Sequence, residues 1–213
     1  MKNCLSKKYL LLNKVLFFIA LGLMPFIYSC SKDAPVQTHY SNPNFVAYQC
    51  ENGGKYGFKD KGTGEQIIEC KYNSAMDFTD GLAAVMINLK WGFINSKGEE
   101  VIPLKYDRCY PFSDGLAAVR LNNKYGFVDK NGKEVVPLKY ENFYSDFSKN
   151  VFGYSEGLVA VKLGKWGFID KEGNIAIQFV YDYAYYFKNG QAQVDRDGWI
   201  RCVLKNGEYT PCN

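Results

Sequence analysis

A motif of the form K-[WY]-G-F-x-[DN] occurs four times in this chain, with its glycines at Gly57, Gly92, Gly126 and Gly167. The steps between these glycines are 35, 34 and 41 residues, and the last step contains an eight-residue insertion between Tyr140 and Gly157. A period of this kind is typical of repeat proteins, in which each unit buries its apolar face only against its neighbours. The chain is therefore predicted to be a tandem array.

The unit from Phe112 to Tyr140 shows what one module contains. Its alternating residues and turn signals predict three strands, Leu116–Leu121, Lys124–Asp129 and Glu134–Tyr140. Asn122-Asn123 suits a two-residue hairpin because Asn tolerates a positive φ. Pro137 cannot donate to a ladder, so the third strand is predicted to lie at a sheet edge or to stop pairing there.

The K-W-G-F motif can be explained by the packing of a β-strand. Strand alternation places Trp166 and Phe168 on one face and Gly167 and Ile169 on the other. We expect the aromatic pair to fill a core layer shared with the adjacent unit, and the glycine to leave room for a close neighbour, side chain or backbone. The structural positions of the well-preserved units are Trp91, Gly92, Tyr125, Gly126, Trp166 and Gly167.

Two degraded copies flank the preserved ones. Val46 and Arg201 lie where the register expects an opening and a motif glycine, respectively. Atypical terminal repeats are what an open array needs as caps. The predicted fold is all-β, a tandem array of about five three-stranded β-meander repeats in an open, solenoid-like stack. The alternative is a closed, five-bladed propeller-like ring.

The pattern resembles the WG-repeat family, also called KWG repeats, which occurs in many bacterial secreted and surface proteins. The resemblance covers Lys55 to Val194 and is carried by K-[WY]-G-F-[IV]-[DN]-x-x-G, V-I-P-x-K-Y-D and F-x-D-G-L-A-x-V. Lys59 in an apolar slot, Cys70 and the degraded fifth unit depart from it. The resemblance implies a β-repeat array with binding roles and no catalytic residues.

The first 29 residues indicate a secretory signal peptide. Four lysines precede an uncharged apolar run, Val15–Ile27, which is shorter than a membrane-spanning helix. The sequence I-Y-S-C resembles the lipobox of bacterial lipoproteins, which implies cleavage before Cys30 and lipid attachment to it. An ordinary signal peptide or an uncleaved anchor is the alternative. Residues 30–43 then form the lipidated cysteine and a polar tether, and residues 44–213 the repeat domain.

These features predict a protein secreted across the inner membrane and held by lipid at the bacterial outer membrane or cell surface. Ser31 after Cys30 favours the outer membrane, again by resemblance to such lipoproteins. The whole chain has 26 Lys+Arg and 22 Asp+Glu, but four of the lysines lie in the signal, so the mature chain is balanced. Nucleic-acid binders need a basic face for phosphate contacts, so no nucleic-acid partner is expected, and the membrane is contacted through the lipid alone.

Candidate catalytic groups are few. The single histidine, His39, lies in the tether, which leaves Ser-His and Cys-His nucleophile arrangements without a base. Asp80, Asp114 and Glu156 share one repeat position just before a turn glycine, which a turn explains without catalysis. We therefore predict no enzyme activity, no cofactor and no metal, and a glycan hydrolase using two carboxylates is the least favoured function.

The cysteines of the repeats divide into two groups. Cys50, Cys70 and Cys109 fall in slots that are apolar in other repeats, which predicts small buried hydrophobic residues. Cys202 and Cys212 flank a hairpin predicted at Asn206-Gly207, which makes them a candidate disulfide.

The eight-residue insertion is not explained by repetition. It belongs to an aromatic segment, Glu141–Glu156, and the matching segment one unit later, Tyr181–Phe187, is also aromatic. Stacked units would bring the two segments together as a shelf for sugar rings or a protein partner. The candidate binding residues are Phe143, Tyr144, Phe147, Phe152, Tyr154, Tyr183, Tyr185 and Tyr186. The alternative is that these rings merely pack the longer loop onto the array.

The predicted function is a non-catalytic envelope lipoprotein whose β-repeat surface binds a protein or glycan partner. The alternative is a structural or interaction subunit of a surface assembly.

Overall fold

The computed structural model describes residues 44–51 and 53–212 of the chain. The predicted signal peptide, Cys30, the tether and His39 lie outside the described residues.

The described chain forms five antiparallel sheets, and in each sheet the strands follow one another in chain order. Sheet 1 has three strands, β1 (Phe45–Gln49), β2 (Tyr56–Asp60) and β3 (Gln66–Tyr72). Sheet 2 has four strands, β4 (Ser74–Ala75), β5 (Ala83–Ile87), β6 (Lys90–Ile94) and β7 (Glu100–Tyr106). Sheet 3 also has four, β8 (Arg108–Cys109), β9 (Ala117–Leu121), β10 (Lys124–Val128) and β11 (Glu134–Tyr140). Sheet 4 has four strands, β12 (Asn142–Phe143), β13 (Val159–Leu163), β14 (Lys165–Ile169) and β15 (Ile175–Tyr181). Sheet 5 also has four, β16 (Tyr183–Ala184), β17 (Gln191–Arg196), β18 (Trp199–Leu204) and β19 (Tyr209–Thr210).

The three longer strands of each of sheets 1 to 4 agree with the predicted meander, whereas the third strand of that meander is shortened to two residues, β19, in sheet 5. In sheet 3 the third strand begins and ends as predicted, and it lies at the sheet edge, where Pro137 is tolerated. The short first strand of sheets 2 to 5 was not predicted. It begins two residues after the tyrosine that ends the preceding sheet, and a strand of two residues has no alternation that a sequence could display.

Tight turns with left-handed residues join these strands. Asn122 and Asn123 adopt φ values of 50° and 59°, as the hairpin between β9 and β10 requires. Asp114 and Gly115 adopt φ values of 54° and 86° in the turn before β9. The Oδ1 atom of Asp129 accepts the N–H groups of Asn131 and Lys133, each at 2.9 Å, which fixes the turn between β10 and β11.

The hydrophobic core is divided into four layers, each between two consecutive sheets. Trp166 and Phe168 belong to the layer between sheets 4 and 5, whereas Ile169 belongs to the layer between sheets 3 and 4. The predicted faces of the K-W-G-F motif are therefore correct. Within the described residues, the extensive contacts between sheets all join neighbours in the chain, and no sheet combines strands from both ends of the array. The prediction of an all-β tandem array is confirmed.

The motif glycine makes room for a close neighbour, as expected, and this neighbour is the backbone of its own sheet and not the adjacent unit. A Cβ on Gly126 would lie 2.6 Å from the carbonyl oxygen of Val136 and 2.9 Å from the amide nitrogen of Leu138. These atoms belong to the edge strand of the same sheet. The register between β10 and β11 shifts at this point, so the bulged edge strand passes directly over the glycine.

The first sheet carries a polar cap on its outer face. Lys59 occupies the slot that Ile94 fills in sheet 2, where the side chain is buried against sheet 1. Sheet 1 has no preceding sheet among the described residues, and the Lys59 ammonium lies 5.1 Å from the centre of the Tyr48 ring. The departure of Lys59 from the family pattern is therefore explained by its terminal position.

The last sheet is capped in the same way. In sheet 4, the slots facing sheet 5 hold apolar core residues, among them Leu158, Ala160 and Phe168. The matching slots of sheet 5 hold Gln191, Gln193 and Cys202. The chain pairs Cys202 with Cys212 as a disulfide, with the two Cα atoms 5.1 Å apart. Polar amides and a disulfide thus replace the aromatic layer where the array ends.

The first sheet is also held by a disulfide, which corrects the interpretation of Cys50 and Cys70 as small buried hydrophobic residues. The two residues are bonded to each other, with their Cα atoms 6.3 Å apart. Tyr48, and not Cys50, lies opposite the motif glycine, because the hairpin of sheet 1 is two residues longer than that of sheet 2. Cys109 is buried and unpaired, as expected.

Candidate functional site

The recurring carboxylates join one repeat to the next. The side chain of Asp80 accepts the N–H of Gly115 at 3.2 Å, and that of Asp114 accepts the N–H of Gly157 at 3.1 Å. Glu156 accepts the N–H of Gly190 at 3.0 Å. The same position in each unit therefore anchors the turn of the following unit, which gives these carboxylates a structural role beyond their own turn.

A lysine from the following repeat completes each contact. Lys130 lies 4.0 Å from Asp80, Lys171 lies 3.8 Å from Asp114, and Lys205 lies 3.2 Å from Glu156. Burial alone would raise the pKa of Glu156, but the hydrogen bonds from Lys205 and the Gly190 N–H outweigh it, so the net pKa is lowered. Because these pairs are largely exposed, each is worth at most about 1 kcal/mol.

Four of the predicted binding aromatics belong to the core. Phe143, Tyr144, Phe152 and Tyr154 are all buried, so the interpretation of these rings as an open shelf is wrong. The Tyr154 hydroxyl donates to the backbone carbonyl of Asp170 at 2.8 Å, and its ring packs edge-on against Phe127. The inserted residues thus add rings to the layer between sheets 3 and 4, which is the packing alternative for this part of the loop.

The insertion presents one exposed ring. Its 3-10 helix spans Phe147–Lys149, and the Asp146 side chain caps it by accepting the N–H groups of Ser148 and Lys149. Phe147 is 53% exposed and lies edge-on against Phe152 at 5.0 Å between ring centres. The ammonium of Lys149 lies 6.0 Å from the centre of the Tyr186 ring, which brings the helix next to sheet 5.

The remaining predicted tyrosines, Tyr183, Tyr185 and Tyr186, pack around the buried Tyr144, and these four rings are here called the aromatic shelf. Tyr144 is its buried base, with ring centres 5.5 Å from both Tyr185 and Tyr186. Tyr183 and Tyr185 are 40% and 37% exposed and lie 5.0 Å apart. Burial, followed by the charge of Asp146, raises the pKa of Tyr144, so its hydroxyl stays neutral. The prediction that the two aromatic segments are neighbours is correct.

The shelf separates two clefts on the outer face of sheet 5. The larger, here called the end cleft, has a volume of about 340 Å³ and is lined by Lys149, Tyr185, Tyr186, Lys188, Asn189, Gln191, Gln193, Cys202 and Cys212. The smaller, of about 180 Å³, lies on the other side of Tyr185 and reaches Tyr183 and Ile200. Ring faces, amide groups and two lysines therefore meet at one end of the array.

The polar lining of the end cleft was not predicted. Gln191 and Gln193 replace Leu158 and Ala160 of the previous unit, and this polar-for-apolar exchange in the degraded repeat was the available signal. The position of Lys149 in the end cleft could not be predicted, because the insertion has no counterpart in the other units.

The described residues also bear on other site types. They contain no group of three or more His, Cys, Asp or Glu side chains that could hold a metal ion. Within the same ranges, no helix has the length and apolar character needed to cross a membrane.

Comparison with known proteins identifies the repeat. The model of the WG containing repeat matches four consecutive segments, residues 56–91, 91–125, 125–165 and 166–198. No curated protein matches the chain. A solved structure described as "KlHsv2 with loop 6CD replaced by a Gly-Ser linker" is 9% identical with a TM-score of 0.44, over 79% of this chain and 65% of the length of that one. The four family matches cover most of the chain, which belongs to the family of WG-containing repeat proteins.

Proposed function

We propose that this WG-repeat protein is a non-catalytic binding protein of the bacterial envelope that takes a glycan at the end cleft. The observation that carries the proposal is the end cleft itself, where Tyr185 and Tyr186 stand beside the amides of Gln191 and Gln193. Sugar rings present an apolar face and a rim of hydroxyls, and tyrosine rings next to amide groups match both. The recurring carboxylates Asp80, Asp114 and Glu156 connect neighbouring repeats, which supports binding without turnover at the cleft.

Lipid attachment at Cys30 would hold the protein at the outer membrane or cell surface. Two features support this placement, the I-Y-S-C sequence after an apolar run and the two disulfides of the repeat domain. Disulfides form and persist in oxidising compartments such as the bacterial periplasm and cell surface.

Replacing Cys30 by alanine should abolish lipidation and leave an unprocessed precursor. The measurement is metabolic labelling with an alkyne fatty acid, combined with mass spectrometry of the amino terminus. Labelled wild-type protein that starts at Cys30 supports the anchor. Wild-type protein cleaved elsewhere and released without label would indicate an ordinary signal peptide instead.

Replacing Tyr185 by alanine should weaken glycan binding by at least about tenfold, or about 1.4 kcal/mol. Tyr185 lines both clefts, so its loss removes the ring between them. The assay is binding to immobilised envelope polysaccharides of bacterial origin, with product release monitored in parallel. Trp199→Ala is the matched control, because Trp199 is an exposed aromatic of the same sheet that lines neither cleft.

Equal binding by the Tyr185 variant and the wild-type protein would show that the end cleft is not the glycan site, and release of product would show that the protein is an enzyme.

A protein partner is the second candidate. Trp199 and Ile200, next to the turn between β17 and β18, are 69% and 65% exposed, which is typical of a docking surface. Loss of a stoichiometric envelope partner on Trp199→Ala, with no glycan bound by either form, would favour this candidate.

A further inference from the structure

Two arginines face each other across sheet 3 without a compensating charge. The register between β8 and β9 places Arg108 directly opposite Arg120. Like charges in directly opposite positions destabilise a strand pair. Within residues 44–51 and 53–212, neither guanidinium forms an ion pair with a carboxylate, and both Nε atoms are buried without a hydrogen-bond partner.

Asp107, which precedes Arg108 in the chain, already has other partners. Asp107 accepts the ammonium of Lys90 at 2.8 Å and the N–H of Asn122 at 2.9 Å. The hydrogen bond from Lys90 is the largest cause that lowers the pKa of Asp107, and the charge of Arg120 contributes less. The field of Arg120 thus reaches this carboxylate, but the two do not pair.

The repeat does not require this arginine pair. The same two slots hold Ser74 and Met86 in sheet 2 and Asn142 and Lys162 in sheet 4. Sheet 5 has Tyr183 and Asp195 there. Residues that recur in every unit are explained by the fold, whereas a repulsive pair present in one unit needs another reason.

Arg108 lies over one of a pair of tyrosine rings. The guanidinium of Arg108 lies 5.4 Å from the centre of the Tyr110 ring, and the Tyr125 ring lies 6.3 Å from Tyr110. Burial and the neighbouring Tyr125 raise the pKa of Tyr110 to about 12, so its hydroxyl remains a neutral donor at neutral pH. The contact with the Tyr110 ring restrains the Arg108 guanidinium, and its fork of N–H donors suits a planar or tetrahedral oxyanion.

We propose that Arg108 and Arg120 form a binding site for an oxyanion, the carboxylate or phosphate group of a ligand. The bound anion neutralises two charges that the fold leaves facing each other and supplies acceptors for their free donors. This site stands apart from the proposed end cleft, since none of its residues lines that cleft. A free anion and an acidic polysaccharide offer the same chemistry, and the test separates these sources.

The double substitution Arg108→Ser with Arg120→Met tests the site. Sheet 2 carries this serine and methionine in the same slots, so the variant should fold. The probes are inorganic phosphate, acetate and polygalacturonate, titrated at constant ionic strength in calorimetry and thermal unfolding. We expect affinity to fall at least tenfold in the variant, and its melting temperature without anion to equal or exceed that of the wild type.

The matched control is Lys162→Met, which removes a charge from the same slot of sheet 4. It should retain the anion response of the wild type. A response to polygalacturonate alone would assign the site to a polymer carboxylate, whereas a response to phosphate or acetate would assign it to the anionic group itself. An equal response in the double variant, or an equal loss in the lysine variant, would overturn the proposal, because binding would then follow net charge and not the arginine pair.

Discussion

Replacing Gly126 by alanine should lower the free energy of unfolding by about 1–3 kcal/mol, the usual range for overpacking a tight site. The added Cβ would meet three backbone atoms of the edge strand at 2.6 to 2.9 Å. Backbone atoms cannot swing aside like the end of a side chain, so either β11 moves away from β10 or its bulge is lost. Urea denaturation monitored by tryptophan fluorescence measures the change.

Gly62→Ala is the matched control for this substitution. Gly62 has an ordinary negative φ, and a Cβ there would come no closer than 3.3 Å to another group, the Asp60 carboxylate oxygen, whereas the backbone contacts at Gly126 lie at 2.6 to 2.9 Å. Its effect should stay within about 0.5 kcal/mol, as for most surface substitutions. An unchanged midpoint for Gly126→Ala, or equal losses for the two variants, would contradict the bulge as the reason for the motif glycine.

The fold of each unit could be predicted because its signals are local. Alternation in K-Y-G-F-V, the pair Asn122-Asn123 and the turn closed by Gly132 each specify backbone geometry within a few residues. The sequence predicted that Gly126 makes room for a close neighbour, but it could not identify that neighbour as a bulged strand of the same sheet, since a bulge is a property of how two strands pair. Pro137 was the available hint, because a bulge is one of the places where a strand can do without an N–H donor.

The candidate site was only partly predictable. Sequence located the aromatic segments and their contact, but it could not separate buried rings such as Tyr154 from exposed rings such as Tyr185. An insertion has no counterpart in other repeats, so no register assigns its side chains to a face. The arginine pair was also missed, because pairing β8 with β9 depends on a two-residue strand that carries no pattern.

The pairing of Cys50 with Cys70 could not be predicted, because the hairpin of sheet 1 is longer than those of the other sheets used for the alignment. Aligning the chain from Gly57 backwards assumes a loop of fixed length, and the two additional residues shift every earlier slot. In the correct alignment, Cys50 and Cys70 match Ile87 and Leu104, which pack against a common core cluster. A disulfide therefore stands where interior units use apolar contact.

Removing the two disulfides should loosen the ends of the array before its middle. In the part of the chain that the structure describes, sheets 1 and 5 each pack against one neighbouring sheet and the interior sheets against two, so the disulfides lie where the packing between sheets is least extensive. Each bond is expected to contribute about 2–4 kcal/mol, chiefly by restricting the unfolded chain. The variants are Cys50→Ser with Cys70→Ser, and Cys202→Ser with Cys212→Ser.

Hydrogen exchange measures where each variant opens. Amides of β17 and β18 should lose protection in the Cys202 and Cys212 variant while β9 and β10 stay protected, because repeat arrays unfold from units with fewer neighbours. Cys109→Ala is the control, since the position of Cys109 is already occupied by alanine in two other sheets, at Ala75 and Ala184. Equal loss of protection in all five sheets would mean that the array unfolds as one unit, and the disulfides would then stabilise the whole chain and not its ends.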